Sequence, residues 1–491
     1  MGNFFNYIIA FASAIGGLLF GYEIGLIDQV LGMQNFAITF GIKHYNEAGL
    51  LVDTEQAKDI KGNVTFTFLL GCTVGAVIVS IMADILGRKR SILVGGFAFA
   101  VGGLLQALTG SIELFYFGRV VSGLGIGVLS MCVPLYISET APTAVRGRMI
   151  TVQQLMITIG ILLAALVNLA IRNSQEQVNA TEKQGSEPEW RIALGMQVVP
   201  GVILVFLMFF MPYSPRWLED RNRHAEAVNA LSKIRSADEN SAAIQAEYKE
   251  IKEGVEFERS IGNATWSELL KPGIINRVLI GVTLQFFQQW TGINVILYYA
   301  SDLFTAMGFP YETASKSLNI VNSFVNVVGT LPGMYLIERI GRRKLLIFGG
   351  LGMSLSHYLV CLFIGLSKTG NASLNLGALI FVYVFILCFS STWGPVVWVY
   401  QSEIFPLRIR AKGTGIATFS NWSMNAVIAK VTPIIIDAIS FKFYLIFGST
   451  CLVMSLFCVS FVPETMGKSL EEMDELFGKV NVHEVESQKK N

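Results

Sequence analysis

Three amides, Gln288, Gln289 and Asn294, interrupt an apolar and aromatic stretch, while a carboxylate, Glu23, and a guanidinium, Arg119, stand in two other apolar runs. Amides both donate and accept hydrogen bonds in fixed geometry, which is what a neutral molecule bearing many hydroxyls requires of a site. Facing lipid, such groups would be costly. Taken singly, each is equally well explained by a hydrogen bond between helices. An ionised Glu23 in an apolar segment is costly unless paired, protonated or wetted, and Arg119 is its natural partner. Such a pair closes when the carboxylate is charged and opens when it takes a proton, which links protonation to a change of state. A static ion pair between helices is the alternative.

At about 100° per residue, Gln288 and Asn294 stand some 600° apart, or about 120° net around an ideal helix. A straight helix splays them. Gly292 offers a place to bend, so that both can reach one cavity.

The elements that position these groups are membrane spans. Residues AVILMFWYC make up 52% of the 491-residue chain and charged residues 15%, against roughly 25% in soluble domains. A net charge of +1 leaves no nucleic-acid footprint. Six cysteines in apolar stretches read as buried free thiols, the four histidines form no metal cluster, and His357 reads as core packing. Apolar runs of span length fall near 7 to 30, 65 to 85, 92 to 110, 114 to 137, 150 to 171 and 190 to 211, then, after a polar block, near 277 to 304, 317 to 337, 345 to 366, 376 to 401, 413 to 437 and 440 to 462. The first run is too long for a signal peptide.

The clusters Arg88-Lys89-Arg90, Arg146/Arg148, Arg339/Arg342/Arg343/Lys344 and Arg408/Arg410/Lys412 fall between alternate runs, which places those loops, the termini and the polar block in the cytoplasm. Within the block, Ser236-Ala237-Asp238-Glu239 reads as a capping box opening a short helix. Sequons at Asn63, Asn179 and Asn371 fall on the outer side, those at Asn263 and Asn421 in the inner block and a span.

Asp84-Ile85-Leu86-Gly87-Arg88-Lys89-Arg90 returns as Glu338-Arg339-Ile340-Gly341-Arg342-Arg343-Lys344, 254 residues on (87 to 341). The segment from Glu139 to Arg146 returns from Glu403 to Arg410, 264 residues on (139 to 403). Two pairs in the same order on the same face imply a parallel duplication with six helices per half. Arg88, Glu139, Arg146, Glu338, Arg342, Glu403 and Arg410 are therefore candidates for a gate that closes when the halves meet. Anchoring of helix ends among headgroups is the rival explanation for any one cluster.

Motifs along nearly the whole chain resemble those of the sugar porter family of the major facilitator superfamily, and most closely its monosaccharide-proton symporters. They are Gly17-Leu18-Leu19-Phe20-Gly21-Tyr22-Glu23, Gly118-Arg119, Pro212-Tyr213-Ser214-Pro215-Arg216-Trp217-Leu218, Gln288-Gln289-Trp290-Thr291-Gly292-Ile293-Asn294, Gly394-Pro395-Val396-Val397-Trp398 and Pro463-Glu464-Thr465. The resemblance implies an all-α membrane protein with the major facilitator fold, twelve transmembrane helices in two six-helix halves with short cytoplasmic helices between them. It implies that Phe20, Gln154, Gln288, Gln289, Asn294, Asn326, Gly394, Trp398 and Asn421 line a sugar site, with Tyr298 and Tyr299 as an outer lid. In the resembling symporters an Asp occupies the position of Glu23 and in animal facilitators a neutral Asn, so the acid favours proton symport; Glu adds a methylene to its reach toward Arg119. Tyr213 stands where Glu is usual, and Met466 where Lys or Arg often follows.

The expected organisation is a first half over 1–211, a cytoplasmic linker with short helices over 212–276, a second half over 277–462 and a cytoplasmic tail over 463–491, set in the plasma membrane. The expected partners are a hexose or pentose, a proton and the bilayer, with no nucleic acid, metal or cofactor. The expected activity is transport by alternating access rather than catalysis. The nearest enzyme motif, Gly467-Lys468-Ser469, has Val462 where a phosphate loop needs glycine. A uniporter, or a polyol or quinate carrier built on the same amides, is an alternative, as is a sugar-sensing receptor, for which the tail leaves little room.

Overall fold

Long apolar runs joined by short connections fold into a helical bundle, seen here in a computed structural model that describes residues 2–181, 187–261, 265–367, 372–468 and 473–477. The first six spans are Gly2–Leu31, Ala57–Ile85, Arg88–Leu108, Ile112–Thr140, Arg146–Thr181, and Glu187–Met196 continued by Val198–Phe210. Span 7 is broken into Ile274–Gln289, Ile293–Tyr298 and Ala300–Ala306. Spans 8 to 12 are Asn319–Leu336, Arg342–Ser367, Ala372–Ser391 continued by Trp393–Ile404, Leu407–Ile439 and Phe443–Phe461. Nine apolar helical segments among the described residues are long enough to cross a membrane, the last running from Arg408 through Phe461 and so covering two spans. Spans 7 and 8 complete the twelve: the first is interrupted, and the second carries the buried amides Asn319, Asn322 and Asn326. A small antiparallel hairpin, Lys43–Tyr45 with Leu51–Asp53, lies between spans 1 and 2.

Polar groups are set inside an apolar core, and large apolar side chains cover the outside. Glu23, Arg119, Gln285, Asn322 and Asn421 are at most 1% exposed, while Phe97, Phe206, Phe348 and Phe461 are each more than 60% exposed. Such a surface is at rest only in hydrocarbon. All six cysteines are free thiols, with only Cys388 half-buried.

The duplication extends to atomic detail. Gly87 and Gly341 both take positive φ, 83° and 94°, at the turns into spans 3 and 9. Arg88 donates to Ala83 O and Arg342 to Ile337 O, each at 3.0 Å, so each arginine caps the helix that precedes it. The Tyr136 hydroxyl donates to Pro212 O at 2.6 Å and that of Tyr400 to Pro463 O at 3.0 Å. We call this end of the bundle, with its arginine-rich turns and the start of span 1, the basic face.

Several local expectations are corrected. Span 2 starts at Ala57 rather than near 65, so Asn63 lies inside its helix. Asn421 lies in a span as expected, 1% exposed and bonded within the bundle; Asn179 falls on the last turns of span 5, and Asn263 and Asn371 lie outside the described residues. Ser236 does not open a helix: with φ 51° it ends His224–Arg235 in the left-handed conformation. The next helix, Ala242–Ile261, is capped by Ser241, whose hydroxyl accepts from Ile244 N. The capping box is at Thr265 and Glu268 instead. The connecting helices grip both halves, through Arg235 to Thr140 O at 2.9 Å and through a Glu268–Arg408 ion pair.

Candidate functional site

Span 7 breaks where its sequence allows. The first helix ends at Gln289, Gly292 takes φ +88°, and a Cβ there would stand 3.0 Å from the Phe447 ring. The carbonyls released by the break find donors on neighbouring spans: Thr450 Oγ1 reaches Trp290 O at 2.8 Å, and His357 Nε2 reaches Thr291 O at 2.8 Å. His357 is thus buried, as its sequence context suggests, yet it also braces the break.

The bend turns Asn294 back so that its Nδ2 donates to Gln289 Oε1, and both line one cavity with Gln288. Of the nine residues expected to bind sugar, eight line this cavity: Phe20, Gln154, Gln288, Gln289, Asn294, Asn326, Trp398 and Asn421. Gly394 lies behind them; its carbonyl accepts from Gln288 Nε2 at 3.2 Å, and a Cβ on it would stand 3.0 Å from Gln154 Nε2. Apolar walls come from Ile24, Ile157, Ile161, Ile293, Leu297 and Phe389. The open volume is about 50 Å³, enough for a few waters.

The amides are hydrogen-bonded to one another across the contracted space. Asn421 Nδ2 donates to Gln288 Oε1 at 2.7 Å and to Gln285 Oε1 at 2.6 Å, and Gln285 Nε2 donates to Gln401 Oε1 at 2.6 Å. Asn326 Oδ1 and Asn425 Oδ1 are buried without a partner, which leaves two acceptors ready for hydroxyls. Sequence reasoning missed Gln285, Gln401 and Asn425. Helical spacing could have found two of them, since Gln285 stands one turn before Gln288 and Asn425 one turn after Asn421.

Glu23 and Arg119, each 1% exposed, form an ion pair. Arg119 Nε also donates to Val64 O at 2.9 Å, and its guanidinium stacks over the Phe68 ring at 4.6 Å. Glu23 Oε2 has no hydrogen-bond partner, so the Arg119 guanidinium is what the described residues offer this buried carboxylate. The pair adjoins the cavity through Phe20 and Ile24 on its own helix and through Tyr298, which lies beside Arg119 and Asn425. Tyr298 and Tyr299 do not line the cavity; Tyr299 instead ties span 7 to span 11 through Ala429 O at 3.1 Å.

At the basic face, the expected gate residues pair largely within their own halves. Arg88 meets Glu139 at 2.9 Å, and Arg342 meets Glu403 at 3.0 Å and Glu338 at 3.2 Å. Arg146 and Arg410 are buried beside them. The halves are joined by Asp84, which reaches Lys412 at 3.5 Å, and by Glu338, which accepts from Arg148 N at 3.2 Å. At the opposite face Ser301 donates to Asp28 at 2.9 Å and Lys58 to Asp437 at 2.8 Å, again across the halves. The halves are thus bonded to each other at both ends.

The family model described as sugar (and other) transporter matches residues 9–477. The chain is 35% identical to the major facilitator-type transporter ecdD of Aspergillus rugulosus, over 95% of this chain and 86% of that protein. It is 34% identical to the low-affinity glucose transporter HXT3 of Saccharomyces cerevisiae, over 94% of this chain and 80% of that protein. The solved structure of the proton:xylose symporter XylE bound to 6-bromo-6-deoxy-D-glucose superposes with a TM-score of 0.84 at 27% identity, over 97% of this chain and 100% of that one. XylE from E. coli in its inward-open conformation gives 0.72 at the same identity, over 96% and 100%. Fold, repeat and similarity agree that the chain is a multi-pass membrane transporter, not an enzyme, and that it belongs to the sugar transporter family of the major facilitator superfamily.

Proposed function

We propose that this protein is a proton-coupled monosaccharide symporter that works by alternating access in the plasma membrane, with the basic face and both termini in the cytoplasm. The observation that carries the coupling is the buried Glu23–Arg119 pair with its unpartnered Glu23 Oε2, one residue from the cavity-lining Ile24. Protonation neutralises Glu23 and releases Arg119, so the state that binds sugar is linked to the proton. In that reading the sugar's hydroxyls replace the bonds among Gln288, Asn421, Gln289 and Asn294 and satisfy Asn326 and Asn425, while Trp398 and Phe20 face its C–H surface. The first half, 1–211, then holds the proton site and the second, 277–462, most of the sugar site, with the linker 212–276 and tail 463–491 on the cytoplasmic side. The glucose transporter and the proton:xylose symporter among its relatives support a hexose or pentose as substrate.

Uptake into purified vesicles across a hexose and pentose panel, with and without an imposed pH gradient, tests the proposal. External pH is expected to rise as sugar enters, and Glu23→Gln to retain sugar exchange while losing accumulation. Normal uphill uptake by that variant overturns the coupling. A uniporter is the second reading, favoured by the direct Glu23–Arg119 contact, which a static pair also satisfies.

A further inference from the structure

Spans 9 and 12 carry, on the side turned away from the sugar site, a feature that neither the sugar nor the proton site uses. An open groove of about 380 Å³ is lined by Tyr358, Cys361, Leu362, Gly365 and Leu366 of span 9 and by Leu445 of span 12. Leu362, Leu366 and Leu445 are exposed and form its walls, and Gly365, with no side chain, leaves the space between them open. A Cβ at Gly365 would stand 3.4 Å from the Phe441 ring, which lies at that end. At the other end the Tyr358 hydroxyl shares a 3.0 Å hydrogen bond with Ser449 Oγ. A Cβ at Gly448 would stand 2.9 Å from the Tyr358 ring, so glycine is what lets that ring lie on span 12. From Tyr358 to Gly365 the helix rises about 10 Å, against about 15 Å of hydrocarbon in one leaflet. The groove therefore runs along the leaflet opposite the basic face. Its mouth is at the turn Ser440–Lys442, where the Lys442 side chain is exposed and within electrostatic reach of Cys361.

We propose that this groove binds one acyl chain of a phospholipid, with the lipid phosphate on Lys442, and that the bound lipid steadies spans 9 and 12 where they brace the break in span 7. Three observations carry it. The groove descends from the headgroup level along the helices, the direction an acyl chain takes, and its walls are aliphatic. A cation stands at its mouth, which suits a phosphate and is of no use to the lone hydroxyl of a sterol. The third observation ties the groove to the sugar site. His357 and Thr450, which donate to the carbonyls freed by the break, are the chain neighbours of Tyr358 and Ser449. One pair holds span 7 from within the bundle, and the other holds span 9 to span 12 beside the lipid. Phe447 of span 12 packs on Gly292 from the same side. Sliding of span 9 against span 12 therefore disturbs the break, and a chain seated between them resists that sliding through packing alone.

The lipid site stands apart from the transport reading, whereas its effect on sugar rests on it, and the test separates the two. The probe is phosphatidylglycerol carrying a diazirine midway along one acyl chain, photolysed in vesicles that contain the full-length protein, with the labelled peptides mapped. Labelling is expected to concentrate on span 9 around 358–366 and on span 12 around 445–449. Gly365→Leu fills the groove from a lipid-facing position and should cut that labelling roughly fivefold, while labelling elsewhere stays parental. Lys442→Glu should cut it by a similar factor, about 1 kcal/mol for a basic side chain near the membrane surface, and Lys442→Arg should retain it. Labelling spread evenly over the exposed spans and unmoved by Gly365→Leu overturns the site. Displacement of the probe by a sterol, with Lys442→Glu at the parental level, overturns the phospholipid as its occupant. Added phosphatidylglycerol should raise the unfolding temperature of the parent in detergent and not that of Gly365→Leu, and the variant's half-saturating sugar concentration should rise about two- to threefold. Lost labelling with parental unfolding and parental half-saturation overturns the bracing of span 7. A parent that takes up no sugar overturns the transport reading instead, with labelling and unfolding still reporting on the groove.

Discussion

Gln285 is 0% exposed and outside the cavity, yet it sets the orientation of a group inside it. Its Oε1 and that of Gln288 both accept from Asn421 Nδ2, which fixes the amide. Gln401 in turn holds Gln285. Gln285→Ala leaves a buried amide free to turn and forfeits about 1–1.5 kcal/mol, so the half-saturating sugar concentration should rise about tenfold with little change in maximal rate. Concentration-dependent uptake measures this directly. An unchanged half-saturation would mean that Asn421 is oriented by the sugar rather than by its neighbours.

At the scale of elements, the break in span 7 is what lets Gln289 and Asn294 serve one cavity. Gly292→Ala places a Cβ at φ +88° and against the Phe447 ring, a strain of about 1–3 kcal/mol. His357→Phe keeps the bulk but leaves Thr291 O with only the weak Cys451 thiol donor at 3.9 Å, at a cost of about 1 kcal/mol. Both variants should lower turnover, and Gly292→Ala should also weaken sugar binding by displacing Asn294; thermal unfolding in detergent monitors the stability loss. The break was legible because a glycine among amides is an anomaly in an apolar helix. The same logic exposed Glu23 and Arg119, whose burial has no explanation but each other. What could not be read were partners set by tertiary packing: Gln285 meets Asn421 from 136 residues away, and only the assembled bundle brings them together. Local signals also misled where several competed, as at Ser236, where the chain's reversal outweighed the acidic residues that follow and Ser241 became the cap.

For the whole molecule, the duplication defines how the basic face closes. Asp84 and Glu338 are equivalent across the repeat, 254 residues apart, and Lys412 and Arg148 are equivalent at 264 (148 to 412). Each acid reaches the other half's counterpart, Asp84 the Lys412 ammonium and Glu338 the Arg148 amide. The stronger pairs, Arg88–Glu139 and Arg342–Glu403, stay within a half and keep each rim rigid. If this face is a gate, as the proposed alternating access requires, it has firm edges and weak closures, which suits a structure that opens in every cycle. The Asp84–Lys412 side chains are 37% and 16% exposed, so their bridge contributes about 0.2–1 kcal/mol. Lys412→Ala should therefore shift the closed-to-open equilibrium at the basic face by no more than about fivefold, and raised salt should move the parent the same way. Glu338→Ala, which removes the acceptor for Arg148 N, should act by a similar factor, and because the two contacts lie on different helices their effects should multiply in the double variant. Spin-label distances across the basic face measure each shift. If Arg88→Ala opened this face more than Lys412→Ala while leaving each half intact, the within-half pairs rather than the cross-half ones would be the closure.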